Sequence, residues 1–381
     1  MKILFDVIST QGSRNGGAEY VLKVFSELLT NASDNIEIIC LYDSQKSFPY
    51  CETSPQTLSE RKLKSIDIKN QQLYQLISDL EIDLLFIGIA QRFIGYNLSQ
   101  ITCRCICVIH DFYDYELDGI LDYVYRKNFV MSLRMKFRRH KDCLLKRKSK
   151  NDFYSFLNKN QKLSIVTVSE FTRASLLNKV VDNNREIEVL YSPEKISVRD
   201  ESIENKELDF IVHSNQKYFL IVSAGRVLKN AKTAINAFKR YVELYMTNDM
   251  LVTIGYGRSE FANHIDLPFL STPDLEHAYQ NCYALIYPSL WEGFGYPPLE
   301  AMKYGKPVLC SNVCSMKEIL GDVPIYFSPF YESDIFAALM KFSNCNYQTL
   351  CDLSLSCYKN VSKRQKEDLA HLIKMITHIY E

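Results

Sequence analysis

The chain has 381 residues, 47% of them hydrophobic, which is enough to bury more than one substantial core and points to two domains. Its 45 Lys and Arg residues balance 45 Asp and Glu, so no whole-molecule field calls for nucleic acid as a partner. Twelve cysteines are scattered without CxxC pairs, which suits reduced thiols rather than a disulfide framework, and no apolar run approaches the ~20 residues that span a bilayer.

The segment Met1–Ile8 is too short, and too interrupted by Asp6, to be a signal peptide; it reads as a first buried strand of a cytoplasmic protein. Short β-branched runs then alternate with longer helical patterns, the signature of a parallel sheet covered on both faces. Strands are expected near Ile3–Val7, Ile36–Tyr42, Leu84–Ile89, Cys105–Ile109, Ile165–Val168 and Ile187–Leu190. Helices are expected over Ala18–Leu29 and Phe171–Val180, the second capped by Ser169. Between the first strand and helix lies a glycine loop containing Gly16 and Gly17, whose backbone N–H groups could face a phosphate or a sugar; a flexible turn before a helix is the equal alternative. The loop is not GxGxxG, and Gly255-Tyr256-Gly257 lacks the third glycine, so dinucleotide binding has little support.

Cys103, Cys105 and Cys107 alternate on one face of a strand and read as small core side chains, since no His or Cys partners stand at metal-ligand spacing. His110-Asp111 ends that strand, where an imidazole could hydrogen-bond a sugar, or could simply be structural. Next comes Arg134–Lys150, with nine Lys or Arg against the single Asp142 and apolar residues at roughly helical spacing. Such a segment could lie on an anionic membrane surface, or be a solvated helix face.

Ser192–Lys217 is polar and is the best linker, giving domains over 1–200 and 201–354 and a helical tail over 355–381. The second domain repeats the pattern, with strands near Tyr218–Ser223, Leu251–Gly255, Ala284–Tyr287, Pro307–Cys310 and Ile325–Phe327. Arg226 and Lys229 follow its first strand, where two cations could neutralise a diphosphate leaving group; a solvated basic turn is the bland alternative, and Lys232 could compete with Lys229. Asn230 could cap the next helix. The most informative stretch is Trp291–Glu300, where Glu292 and Glu300 flank Gly293, Phe294, Gly295 and a Pro-Pro pair. Pro298 at a first helical position would put Glu300 in the first turn, and the two glycines would let the backbone approach a ligand. Two αβα domains with a cleft between them follow, with ligands outside the carboxyl ends of the strands. No Asp-x-Asp pair exists to hold a metal–diphosphate complex, so no metal and no cofactor are expected.

EGFGYPPLEAMKYGKPVL, from Glu292, resembles the Glu-x7-Glu signature of retaining glycosyltransferases of the GT-B fold, family 4, also called group 1. The likeness extends to Gly16-Gly17-Ala18-Glu19, His110-Asp111, VSEFTRASLL from Val168, VLYSP from Val189, Lys229-Asn230 and IYPSLWEGFG from Ile286. It implies two Rossmann-like domains facing a cleft, with the C-terminal helix crossing back to the first. It further implies that Glu292 contacts the donor sugar and steadies charge at the reacting centre. Phe294 and Gly295 would offer backbone N–H groups, and Glu300 would bind the ribose diol. Arg226 and Lys229 would grip the diphosphate, Gly17 would line the cleft, and His110 would approach the sugar. Arg226 and Lys229 stand three apart, whereas the family often spaces these cations by five.

The function expected is transfer of a hexosyl group from a nucleotide-diphosphate sugar, GDP-mannose or a UDP-sugar, to a glycan or lipid-linked glycan acceptor. Bacterial cell-surface polysaccharide or lipopolysaccharide synthesis is the expected setting, at the inner face of the cytoplasmic membrane if the basic segment binds there. A GT-B epimerase or hydrolase, and a non-catalytic subunit of a polysaccharide assembly complex, are the alternatives.

Overall fold

The computed structural model of the protein describes residues 1–12, 14–111, 152–179, 185–196, 202–214 and 216–378. The basic segment Arg134–Lys150 lies outside them. The chain divides into two compact units, Met1–Ile196 with Arg364–Glu381, and Ser197–Lys363.

Unit 1 is built on strands β1 (Lys2–Asp6), β2 (Glu37–Tyr42), β3 (Lys64–Asp67), β4 (Leu84–Ile87), β5 (Arg104–Ile109), β6 (Leu163–Thr167) and β7 (Ile187–Val189). Their order is β3-β2-β1-β4-β5-β6-β7, every neighbouring pair parallel. Helices cover both faces of such a sheet, so its central strands are continuous apolar runs; β4 is buried at every position. In register, Phe5 of β1 lies opposite Phe86 of β4, and the rings stack with centroids 5.0 Å apart. Phe25, on the buried face of the helix Gly16–Asn31, packs on Phe5 at the same distance. Each fully buried ring of this kind contributes about 2–3 kcal/mol of transfer free energy.

Unit 2 holds β8 (Tyr218–Ile221), β9 (Met250–Ile254), β10 (His264–Leu267), β11 (Ala284–Tyr287), β12 (Val308–Ser311) and β13 (Ile325–Phe327). Their order is β10-β9-β8-β11-β12-β13, again all parallel. Two Rossmann-like αβα units of this kind are the GT-B composition expected from the sequence. In each sheet the strand order reverses once, between β1 and β4 and between β8 and β11, and in sheets of this kind the carboxyl ends of the strands at such a reversal are where ligands bind.

Two local readings are corrected. The strands β3 and β10 were not expected; both are edge strands with half-exposed residues, so neither shows an apolar run. The expected linker Ser192–Lys217 contains a helix, Lys206–His213, whose start is capped by the Asn205 side chain accepting from the Glu207 and Leu208 N–H groups. The tail is part of a 31-residue helix, Tyr347–Thr377, and its last part belongs to unit 1. There Arg104 of β5 donates to the carbonyls of Met375 and His378, satisfying groups that a helix end leaves without partners. Ser169 caps its helix as expected, accepting from the Thr172 N–H at 3.2 Å.

Candidate active site

In unit 2 the loops leaving β8 and β11 are tied together across the reversal in strand order. The Leu228 carbonyl accepts from the Leu290 N–H at 2.8 Å, with the Ser289 hydroxyl oxygen 3.2 Å away. A single 3-10 turn, Val227–Lys229, then carries the Lys229 ammonium onto the Glu292 carboxylate in an ion pair. The same ammonium donates to the Tyr287 hydroxyl at 2.6 Å, and that hydroxyl is hydrogen-bonded in turn to Glu292. Ser289 donates to Glu292 at 2.5 Å, and Ser315 donates to the Glu292 backbone carbonyl at 3.2 Å. Burial and the neighbouring carboxylate push the Tyr287 phenol far above its ordinary range, so it stays a hydroxyl. The result is a carboxylate and an ammonium, both largely shielded, held by neutral hydroxyls at the carboxyl end of the sheet.

The glycine loop between Glu292 and Glu300 works through Gly295 rather than Gly293. Gly295 has φ +90°, and a Cβ there would lie 2.2 Å from Met316 Cε. That conformation ends the loop and starts the helix Tyr296–Lys303 two residues before Pro298. Pro297 and Pro298 both fit in the first turn because its N–H groups have no intrahelical acceptor. Glu300 therefore stands in the second turn, not the first. Its carboxylate accepts from the hydroxyl of buried Tyr279 at 2.7 Å. Phe294 is buried, its ring edge-on to Tyr296 at 5.5 Å.

The structure brings Lys229 to Glu292, but not Arg226, which is exposed and whose side chain makes no ion pair among the described residues. Lys232 pairs with Glu260 instead. Asn230 does stand at the start of the helix Ala231–Tyr245, but in the left-handed region at φ +50°. Its side chain accepts from the Thr233 hydroxyl and donates to the Pro329 carbonyl, rather than capping a backbone N–H.

In unit 1, Gly16 and Gly17 are the first two residues of their helix, which Asn15 caps by accepting from the Ala18 N–H at 3.0 Å. Their own N–H groups lie in the turn that has no preceding carbonyls. A Cβ on Gly17 would lie 2.8 Å from Ile89 Cδ1, so a larger residue there would have to displace the end of the Ile89 side chain in the loop after β4. His110 follows β5, half-buried, with Nε2 2.9 Å from the Gly88 carbonyl and the Tyr20 ring edge-on at 4.7 Å. Burial lowers its pKa to about 4, so the ring is neutral at physiological pH.

Tyr287, Ser289, Ser315 and Tyr279 were not singled out from the sequence. Ser289 stands three residues before Glu292, a local signal; the others reach the site only through folding. Cys105 and Cys107 are buried core thiols whose pKa burial raises. Among the described residues no group of three or more His, Cys, Asp or Glu could hold a metal ion. Among them, too, no helix is long and apolar enough to cross a membrane.

Residues 204–346 match the family model "Glycosyl transferases group 1". Over 151 residues the chain is 35% identical to the O-antigen chain mannosyltransferase RfbU of Salmonella typhimurium, covering 36% of this chain and 41% of that protein. Over 63 residues it is 44% identical to the O-antigen chain mannosyltransferase B of Escherichia coli, covering 16% of each. The chain thus spans less than half the length of these curated relatives. The crystal structure of Anabaena HepE in complex with UDP and glucose aligns over 100% of both chains, at 13% identity and a TM-score of 0.66. The segment that carries Lys229, Glu292 and Glu300 is therefore similar to the group 1 glycosyltransferases, and the fold of the whole chain is that of GT-B glycosyltransferases.

Proposed function

We propose that this protein is a retaining hexosyltransferase of family 4, taking a mannosyl group from a nucleotide-diphosphate sugar to a glycan or lipid-linked glycan of a bacterial surface polysaccharide. The observation that carries the reading is the Lys229–Glu292 pair at the strand-order reversal of unit 2, inside the segment that matches the family. The mannosyl donor is favoured by the names of RfbU and the Escherichia coli relative. HepE, solved with UDP and glucose, keeps a UDP-sugar as the competing donor.

In the proposed reaction the acceptor hydroxyl oxygen bonds to the sugar C1 as the bond from C1 to the β-phosphate oxygen breaks. The hydroxyl proton passes to the departing diphosphate on the same face. Lys229 uses two of its three donors on Glu292 and Tyr287, leaving one for a phosphate oxygen. Neutralising the leaving group as it forms is the electrostatic contribution that matters most here. Glu292 faces the sugar, where positive charge develops at C1, and the N–H groups of Phe294 and Gly295 serve the sugar or diphosphate. Glu300, held by Tyr279, takes the ribose diol. Arg226 is exposed and free to meet a phosphate. The resemblance gives Gly16, Gly17 and His110 of unit 1 a share in donor binding. His110 is neutral, so it acts as a hydrogen-bonding group and not as an acid.

The test is incubation with a nucleotide-diphosphate mannose, with and without a lipid-linked glycan acceptor, in the presence of excess EDTA. Mannosylated acceptor with the donor's anomeric configuration, formed despite EDTA, is the expected result. Stoichiometric turnover of donor alone to an epimer or free sugar would replace transfer by epimerisation or hydrolysis. Location at the inner membrane face rests on Arg134–Lys150, and co-sedimentation with anionic liposomes that survives neutralising Arg138, Arg139, Lys146 and Arg147 would remove it.

A further inference from the structure

At the strand-order reversal of unit 1 stands a carboxylate that the proposed chemistry does not use. Asp6, the last residue of β1, is fully buried. One carboxylate oxygen accepts from the Ser9 N–H at 2.9 Å; the other accepts from the Gly88 N–H at 3.0 Å and from the Ser9 hydroxyl. The Ile89 N–H also faces it. Among the described residues it has no ion-pair partner, so backbone and hydroxyl donors alone hold the buried charge.

The peptide between Gly88 and Ile89 joins this carboxylate to His110. Its N–H faces Asp6, and its carbonyl accepts from His110 Nε2 at 2.9 Å. A carbonyl can only accept, so the proton sits on Nε2 and Nδ1 keeps a lone pair. The peptide has little room to move. A Cβ on Gly88 would lie 2.4 Å from Val21 Cγ2, and Gly17 packs against Ile89 from the same helix. Thr172 donates to the His110 carbonyl, fixing the backbone from the other side. An ionised Asp6 polarises the peptide and strengthens its carbonyl as an acceptor.

We propose that Asp6 is a positioning residue which, through the Gly88–Ile89 peptide, fixes His110 as the Nε2–H tautomer with Nδ1 free to accept from a substrate hydroxyl. The catalytic half of this assignment rests on the transferase reading above. Burial raises the Asp6 carboxyl to about 6 and lowers the His110 imidazole to about 4. The other titratable groups facing Asp6 are Cys107 of β5 and Tyr96, both raised by burial, so neither ionises near neutrality. Around pH 6 the group that changes charge here is Asp6.

The experiment is nitrogen NMR of the full chain labelled at histidine, from pH 5 to 8, with the His110 ring assigned by His110→Gln. Wild-type His110 is expected as the Nε2–H tautomer, its signals moving with a midpoint near 6 while the ring stays neutral. Asp6→Asn is expected to abolish that midpoint, to lower kcat about tenfold with little change in KM, and to remove the acid limb of the rate profile. Ser9→Ala, a milder change that removes one donor to the ionised carboxylate, is expected to move both midpoints upward. An Nδ1–H tautomer, or a midpoint that persists in Asp6→Asn and does not move in Ser9→Ala, would overturn the proposal. Titration as described in a chain without transferase activity would refute the catalytic reading and uphold the Asp6–His110 linkage, so the two failures are distinct.

Discussion

Lys229 and Glu292 meet across the strand-order reversal of unit 2, with the Tyr287 hydroxyl between them. Their side chains are 13% and 15% exposed, so neither charge is well solvated and each depends on the other. A pair of this kind adds little net stability, but losing one partner strands the other.

Lys229→Ala is therefore expected to lower stability by about 3 kcal/mol and turnover by about 10²–10³. Glu292→Gln keeps the shape and the Ser289 contact and should lose more activity than stability. Urea denaturation alongside steady-state kinetics separates the two effects. A Lys229→Ala enzyme with wild-type kcat would remove Lys229 from the chemistry.

Tyr279 and Glu300 form a second linked pair. Glu300→Ala should weaken nucleoside diphosphate binding by about a hundredfold. Tyr279→Phe, which only frees the carboxylate to swing, should cost about tenfold. Titration calorimetry reads both, and unchanged dissociation constants would place the ribose elsewhere.

Gly295→Ala introduces strain at φ +90° and a clash with Met316. The backbone cost alone is about 1–2 kcal/mol. Met316 is fully buried, so Met316→Ala is destabilising by itself. Because the second change removes the atoms the first one strikes, the double variant should be less destabilised than the sum of the singles. Strict additivity would mean that the clash is relieved without Met316.

Two opposite pH dependences meet in unit 1. His110 has its folded pKa depressed from 6.5 to about 4, so the stability it contributes is present above 6.5 and is lost as pH falls towards 4. Asp6 has its folded pKa raised from 3.8 to about 6, so its contribution is present below 3.8 and is lost as pH rises towards 6. Between pH 4 and 6 the slopes oppose each other. In denaturation across this range, His110→Gln should become less stable as pH rises, and Asp6→Asn less stable as pH falls. Parallel curves for the two variants would contradict both assignments.

The fold was legible because parallel strands buried on both faces must be apolar runs, as β4 and β11 are. The edge strands β3 and β10 escaped for the same reason reversed, since half-exposed strands mix polar and apolar residues. Glu292, Glu300, Gly295 and Lys229 stood out because motif and turn chemistry are local. Tyr287 and Tyr279 did not, because a tyrosine in an apolar segment looks like core until its hydroxyl is seen on a carboxylate. Asp6 was read merely as a break in an apolar run, and its four backbone and hydroxyl donors come from two separate segments.

Unit 1 is assembled from both ends of the chain, and this bears on how the protein is made. Tyr191 donates its backbone N–H to Asp368 and carries the Arg364 guanidinium 3.6 Å from its ring centroid, while Gln365 donates to the Ser192 carbonyl. Domains commonly fold as they emerge from the ribosome, the N-terminal one first. Here the strands of unit 1 emerge early but must wait for Arg364 and the residues beyond it, whereas unit 2 has its full sequence by Lys363. The half translated first is the half completed last.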